Sequence, residues 1–147
     1  MREAPITVLL VEDEPAHVEI IKRNFETITI SHTLKHVPDG ESALDYLYRN
    51  NSFSDPDSSP RPGLILLDLR LPKVDGLQVL KTVKNDPVLS SIPIVVLSTS
   101  ASEKDVAMAY TNGANSYMVK PADFKQFSQL LETAGTYWLV WNHHPKT

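Results

Sequence analysis

Cysteine is absent from the chain, which excludes disulfides and thiolate metal sites. Charge of one sign is not concentrated either. The formal net charge is only −4, so the chain carries no basic footprint for nucleic acid or for an anionic membrane surface. No apolar stretch approaches the ~20 residues of a membrane span. The start, Met1-Arg2-Glu3-Ala4-Pro5, lacks a signal-peptide core and a small-residue cleavage site. These absences together lead us to expect a cytoplasmic protein with no nucleic-acid or membrane partner. What remains is ordinary globular composition, 41% hydrophobic and 22% charged. At 147 residues the chain is the size of one domain with a real core.

Three short runs are almost wholly apolar and rich in β-branched residues: Ile6–Val11, Leu64–Leu67 and Ile94–Leu97. Such runs fit strands buried on both faces of a parallel sheet. Thr33–Val37 and Ser116–Val119 are weaker strand candidates. Between them lie helical patterns. Val18, Ile21, Phe25 and Ile28 share one face of a helix opened by Pro15. Ala43, Leu44, Leu47 and Tyr48 mark a second helix after Asp39-Gly40. Leu77, Leu80 and Val83 mark a third after Asp75-Gly76. Val106, Ala109 and Tyr110 mark a fourth, begun by Ser102 with Asp105 three residues on and stopped by Asn112-Gly113. Phe124, Phe127, Leu130 and Leu131 mark a fifth, capped by Asp123. The order is (βα)5, which calls for an α/β fold with a parallel sheet and helices on both faces.

Residues 50–62, NNSFSDPDSSPRP, break the rhythm and read as a mobile loop. Beyond the fifth helix, residues 137–147 form a tail that holds both tryptophans of the chain. Tyr137, Trp138 and Trp141 would be costly to leave exposed. They either pack on the fifth helix or build a dimer interface. His17, His32, His36, His143 and His144 show no metal-ligand spacing, and His143-His144 read as terminal polar residues.

Ligands of open α/β sheets bind at the carboxyl ends of the strands. The residues found there are Glu12, Asp13, Asp68, Ser98 and Lys120. Carboxylates crowded together repel, and a hard divalent cation such as Mg²⁺ relieves them. A carboxylate beside such an ion can attack a phosphoryl group and form an acyl phosphate. Lys120 would offset the added charge, and Ser98 would donate to a phosphoryl oxygen.

The segments VLLVEDEP (Val8–Pro15), LILLDLRLPKVDG (Leu64–Gly76), IPIVVLSTS (Ile92–Ser100) and GANSYMVKP (Gly113–Pro121) resemble the receiver domain of bacterial and archaeal response regulators. The resemblance implies a doubly wound, flavodoxin-like parallel sheet of strand order 2-1-3-4-5. It implies a receiver domain over residues 1–136, with the tail and no separate output domain after it. By motif, Asp68 resembles the phosphoacceptor, assisted by Lys120 and Ser98. Glu12, Asp13 and Asp68 resemble the site for Mg²⁺ or Mn²⁺, with the backbone carbonyl of Arg70 as a further ligand. Ser98 and Tyr117 resemble the switch pair, and Arg70 and Ser100 the modulating positions. Ser98 stands where threonine is commoner, and Lys120 is followed by Pro-Ala rather than Pro-Phe.

The polar loop, the Asn85-Asp86-Pro87 turn and the YWLVWN tail are similar to stand-alone regulators of phytochrome-type sensor kinases. That implies a single-domain switch in two-component phosphorelay signalling. It also implies a sensor histidine kinase as partner and a homodimer, which the aromatic cluster of Tyr137, Trp138 and Trp141 leads us to expect through the fifth helix and tail. Two other readings compete. A phosphohydrolase of the same fold would carry a second Asp two residues after Asp68, where this chain has Arg70. A pseudo-receiver would have lost the acidic pair, the acceptor or the lysine, and none is lost.

Overall fold

The computed structural model describes residues 5–144. Its five strands are β1 (Ile6–Val11), β2 (His32–Val37), β3 (Leu64–Leu67), β4 (Ile94–Ser98) and β5 (Ser116–Val119). They form one parallel sheet in the order β2-β1-β3-β4-β5. Five helices alternate with them: α1 (Pro15–Glu26), α2 (Gly40–Tyr48), α3 (Gly76–Lys84), α4 (Glu103–Thr111) and α5 (Phe124–Thr136). The expected (βα)5 order and strand order are both met.

Strand alternation divides the core in two. Leu9, Val11, Ile65, Leu67, Ile94 and Val96 face one cluster, which includes Ala43 and Leu47 of α2, Val79, Leu80 and Val83 of α3, and Ala109 of α4. Val8, Leu10, Leu64, Leu66, Val95 and Leu97 face the other, with Val18, Ile21 and Phe25 of α1 and Phe127 and Leu131 of α5. The central strands are apolar on both faces because helices cover both.

Each helix begins on an oxygen that accepts from its first turn: Glu14, Asp39, Asp75, Ser102 and Asp123. The glycines that open α2 and α3 are needed for close approach. A Cβ on Gly40 would lie 1.9 Å from the carbonyl oxygen of Val74, and one on Gly76 would lie 2.2 Å from that of Asp68. Both helix starts therefore press on the loop that follows Asp68.

Several details differ from the sequence expectation. Tyr46, not Tyr48, is the buried aromatic of α2, and Tyr48 instead donates to Asp86 from the surface. Tyr110 and Phe124 are likewise exposed. The segment 50–62 is not the free loop expected. It contains a 3₁₀ turn over Asn51–Phe53, and Phe53 meets the ring of Tyr46 edge-on. The Tyr46 hydroxyl donates to the Pro60 carbonyl, and Arg49 and Arg61 donate across the same segment.

The tail does not stand apart from α5. The helix runs on into a π-helical turn over Tyr137–Trp141. Leu139 is buried and Trp138 packs on the α1–α5 side of the core, while Tyr137, Val140 and Trp141 are exposed. His144 is half-buried, not a free polar end: its ring nitrogens face the carbonyls of Gly63 and Trp138 at 3.1 and 2.8 Å. Residues 145–147 of the tail and 1–4 of the N-terminus lie outside the described residues. No described helix is long and apolar enough to cross a membrane.

Candidate functional site

The site residues are extensions of the sheet ladder. Glu12 follows β1 and its N–H donates to the Val37 carbonyl of β2. Asp68 follows β3 and its N–H donates to the Val11 carbonyl of β1. Ser98 ends β4, and its carbonyl accepts from the N–H of Lys120 at 2.8 Å. Their backbones are thus fixed by strand pairing rather than by loop packing, which preorganises the side chains.

Lys120 is the centre of the arrangement. Its side chain is 2% exposed, and its ammonium donates to Glu12 Oε1, to Asp68 Oδ2 at 3.0 Å and to His17 Nδ1 at 3.1 Å. All three N–H donors are satisfied, as a buried ammonium requires. Glu12 Oε2 accepts from the N–H of Glu14, and Asp68 Oδ1 accepts from the N–H of Arg70. Burial is the main influence on Glu12, and it pushes this carboxyl up to about 7 against the opposing pull of Lys120. Burial and the nearby Lys120 charge lower His17, which keeps the ring neutral and able to accept.

Glu12, Asp13 and Asp68 bring one carboxylate oxygen each within 4.8 Å of one another. Three carboxylates against one ammonium leave two negative charges, which one divalent cation balances. All-oxygen, hard donors of this kind suit Mg²⁺ or Mn²⁺. Asp13 is exposed and opens on a cleft of about 410 Å³, lined also by Arg70, Pro72, Lys73 and Asp75.

The remaining predicted residues lie on the β4 and β5 side. Ser98 is fully buried and its Oγ accepts from the N–H of Ser100 at 3.1 Å. Tyr117 is half-buried on β5, and its hydroxyl donates to the Ser100 carbonyl at 2.8 Å. The Arg70 guanidinium donates not to the acceptor group but to Asp105 Oδ2 at 3.3 Å, which also takes the Ser100 hydroxyl at 2.6 Å. Every predicted residue therefore belongs to one contiguous region. Three contributors were missed: His17, Asp105, and His36, which contacts the Glu12 carbonyl at 2.8 Å. Only the place of Asp105 three residues after Ser102 gave a sequence signal, and that read as helix capping alone.

Comparison with known proteins decides the family. The response regulator receiver domain family matches residues 8–132. The chain belongs to this family. Receiver domains are the phosphoacceptor switches of two-component signalling, and the match spans most of the chain. It is 43% identical to a probable methanogenesis regulatory protein, FilR2, of Methanothrix harundinacea, over 97% of this chain and 90% of that protein. It is 39% identical to response regulator Rcp1 of Synechocystis, over 92% of this chain and 90% of that protein. The Mn²⁺-bound crystal structure of Rcp1 superposes with a TM-score of 0.92, covering 97% of this chain and all of that one. The phosphorylated cyanobacterial phytochrome response regulator RcpA matches with a TM-score of 0.92 at 38% identity, covering 97% of this chain and 100% of that one. The expected likeness to stand-alone regulators of the phytochrome group is thereby met.

Proposed function

We propose that Asp68 accepts a phosphoryl group from a sensor histidine kinase and that this receiver domain then switches its protein contacts. The observation that carries the reading is the buried Lys120 ammonium, held at once by Asp68 and Glu12. A Coulombic anchor at this point marks where new negative charge is to be accommodated. In the transfer, an Asp68 oxygen bonds to phosphorus, the bond to the kinase histidine breaks, and the freed imidazole takes a proton from solvent. Mg²⁺ or Mn²⁺ bound by Glu12, Asp13, Asp68 and the Arg70 carbonyl would neutralise the phosphoryl oxygens.

Within this reading, Ser98 turns its hydroxyl to a phosphoryl oxygen, and Tyr117 follows because Ser100 links the two. Lys120 moves its donor from the carboxylate to the phosphoryl group. Slow self-catalysed hydrolysis then resets the switch, with Arg70 and Ser100 setting its rate. The likeness to RcpA favours a phytochrome-type kinase as partner. The exposed Tyr137, Val140 and Trp141 favour a homodimer through α5 and the tail. We place the protein in the cytoplasm and the receiver domain over residues 1–136, followed by the tail.

Incubation with Mg²⁺ and a small phosphodonor, read by intact mass and peptide mapping, tests the reading. One phosphoryl group on Asp68 is expected. Unmodified protein, or a label elsewhere, overturns it.

A further inference from the structure

One carboxylate outside the predicted site ties its movable parts together. Asp105 lies in the first turn of α4, and its own N–H is capped by Ser102 Oγ at 3.1 Å. Its Oδ2 accepts from Ser100 Oγ at 2.6 Å and from Arg70 Nη2 at 3.3 Å. Ser100 reaches on to both switch positions, since its N–H donates to Ser98 Oγ and its carbonyl accepts from Tyr117. Asp105 thus joins the loop after β3, the loop after β4, and α4. Its carboxyl is lowered, chiefly by the Ser100 hydroxyl, so it is ionised near neutral pH.

Arg70 has two anionic neighbours, and its backbone and side chain divide between them. The N–H binds Asp68 Oδ1, while the guanidinium, 74% exposed, binds Asp105. Asp68 gives the guanidinium little reason to leave Asp105, because its Oδ2 is already paired with Lys120 and its Oδ1 already accepts from the Arg70 N–H. A phosphoryl group on Asp68 changes that balance. It adds negative charge and acceptor oxygens that a planar guanidinium can bind in bidentate fashion. The pair it must beat is a single, exposed contact, the weakest class of ion pair. Arg70 also lines the open cleft beside Asp13, so its side chain can swing without displacing the core.

We infer that Asp105 is a positioning residue that holds Arg70 away from the acceptor, and that phosphorylation makes Arg70 exchange Asp105 for the phosphoryl group. The exchange shields the acyl phosphate and leaves Asp105 to Ser100 alone. It rests on the reading of Asp68 as phosphoacceptor. Hydrolysis is the step it controls: a water oxygen bonds to phosphorus, the bond from phosphorus to the Asp68 oxygen breaks, and phosphate leaves with the water protons. A guanidinium lying over the phosphoryl oxygens obstructs that water.

The test is the decay of phosphorylated wild type, Asp105→Asn, Arg70→Ala and the double variant, followed by intact mass. Asparagine keeps the size of the side chain and leaves the Ser102 cap on the backbone untouched. It frees Arg70, so the half-life should lengthen by roughly 2- to 5-fold, the rate equivalent of an exposed ion pair. Arg70→Ala should shorten the half-life, and adding Asp105→Asn to it should change nothing further. That dependence on Arg70 is the signature a merely structural acid at a helix start would not give. An unchanged or shortened half-life in Asp105→Asn overturns the inference. So does an equal effect of Asp105→Asn in both backgrounds. Wild type that takes no label at all overturns the phosphoacceptor reading instead, and this inference with it.

Discussion

Lys120 donates to Asp68 at 3.0 Å from a position where both side chains are almost wholly shielded from water, at 2% and 10% exposure. Removing one member of such a buried pair leaves its partners uncompensated. Lys120→Ala should therefore destabilise the metal-free protein by ~3–5 kcal/mol, the usual cost of orphaning a buried charge. Mg²⁺ should recover much of that loss, because it neutralises the same carboxylates. Some labelling should survive with Mg²⁺ present, since Asp68 is untouched, but it should no longer produce a conformational response. Denaturant melts with and without Mg²⁺, and the Tyr and Trp fluorescence change on phosphorylation, check both parts. A metal-free variant as stable as wild type would count against the buried pair.

Asp68→Asn should abolish labelling while preserving the fold. The amide oxygen can still accept from the N–H of Arg70, but the amide is no nucleophile toward phosphorus. One of three mutually repelling carboxylates is also gone, so metal-free stability should hold or rise slightly. Intact mass and thermal melting report on the two halves separately. Stoichiometric labelling of this variant would remove Asp68 from the acceptor role.

The pH dependence follows from Glu12. Its carboxyl is raised from 4.5 to about 7, first by burial. A raised carboxyl contributes stability that is fully present below its unfolded value and is lost as pH rises through its folded one. The metal-free protein should thus lose stability between about pH 4.5 and 7, with the other groups superimposed. Mg²⁺ needs the carboxylate, so its stabilising effect should be small at acid pH and grow as pH passes 7. Melting temperatures with and without millimolar Mg²⁺, at pH 5.5 and 8, measure this. A metal increment that is equal at both pH values would show that Glu12 does not titrate with the site.

What the sequence revealed and what it hid divide along physical lines. β1, β3 and β4 were legible because strands buried on both faces must be apolar throughout, and each such run stops where the site begins. Asp68 and Lys120 were legible because their neighbours are fixed by strand register. The sequence points to Tyr48 rather than Tyr46 on the apolar face because a nine-residue helix offers too few turns for that face to be unambiguous. The segment 50–62 looked free because its anchors, Tyr46 and Arg49, precede it and Arg61 bonds back to α2. His17 meets Lys120 across 103 positions, and Asp105 meets Arg70 across 35. No periodicity carries a contact of that range.

Gly76 makes a further prediction about site integrity. A Cβ there would lie 2.2 Å from the Asp68 carbonyl oxygen and 2.6 Å from Leu69 Cα, both backbone atoms. The loop that carries the acceptor would have to shift. Gly76→Ala should cost ~1–3 kcal/mol as an overpacking change, and should slow labelling even where the protein remains folded. Gly113→Ala is the control. It is strained at φ +101° and meets Lys84 Cγ at 2.7 Å, at the end of α3 opposite the acceptor loop, so it should cost stability without slowing labelling. Equal labelling rates in the two variants would show that α3 does not set the acceptor geometry.

The last prediction concerns assembly. The tail was expected either to cover its own domain or to build a dimer interface, and the structure buries one part of it and exposes the other. Leu139 and Trp138 pack inward, so Trp138→Ala is a core deletion and a poor probe of assembly. Tyr137, Val140 and Trp141 face water at 51%, 47% and 76% exposure. Burying a large aromatic is worth ~2–3 kcal/mol by area, and a two-fold interface uses each such residue twice. A pair of Trp141 side chains at the centre of the contact would act as its anchor. Trp141→Ala should therefore weaken a homodimer by at least tenfold without lowering the monomer's melting temperature. Phosphorylation should tighten the wild-type dimer, because Tyr117 lies on β5 and Lys120 directly follows it, on the path into α5. Sedimentation velocity over a concentration series, with and without a phosphoryl mimic, measures each point. A wild type that stays monomeric at high micromolar concentration in both states would defeat the dimer. A dimer indifferent to Trp141→Ala would keep the assembly and move its interface off the tail.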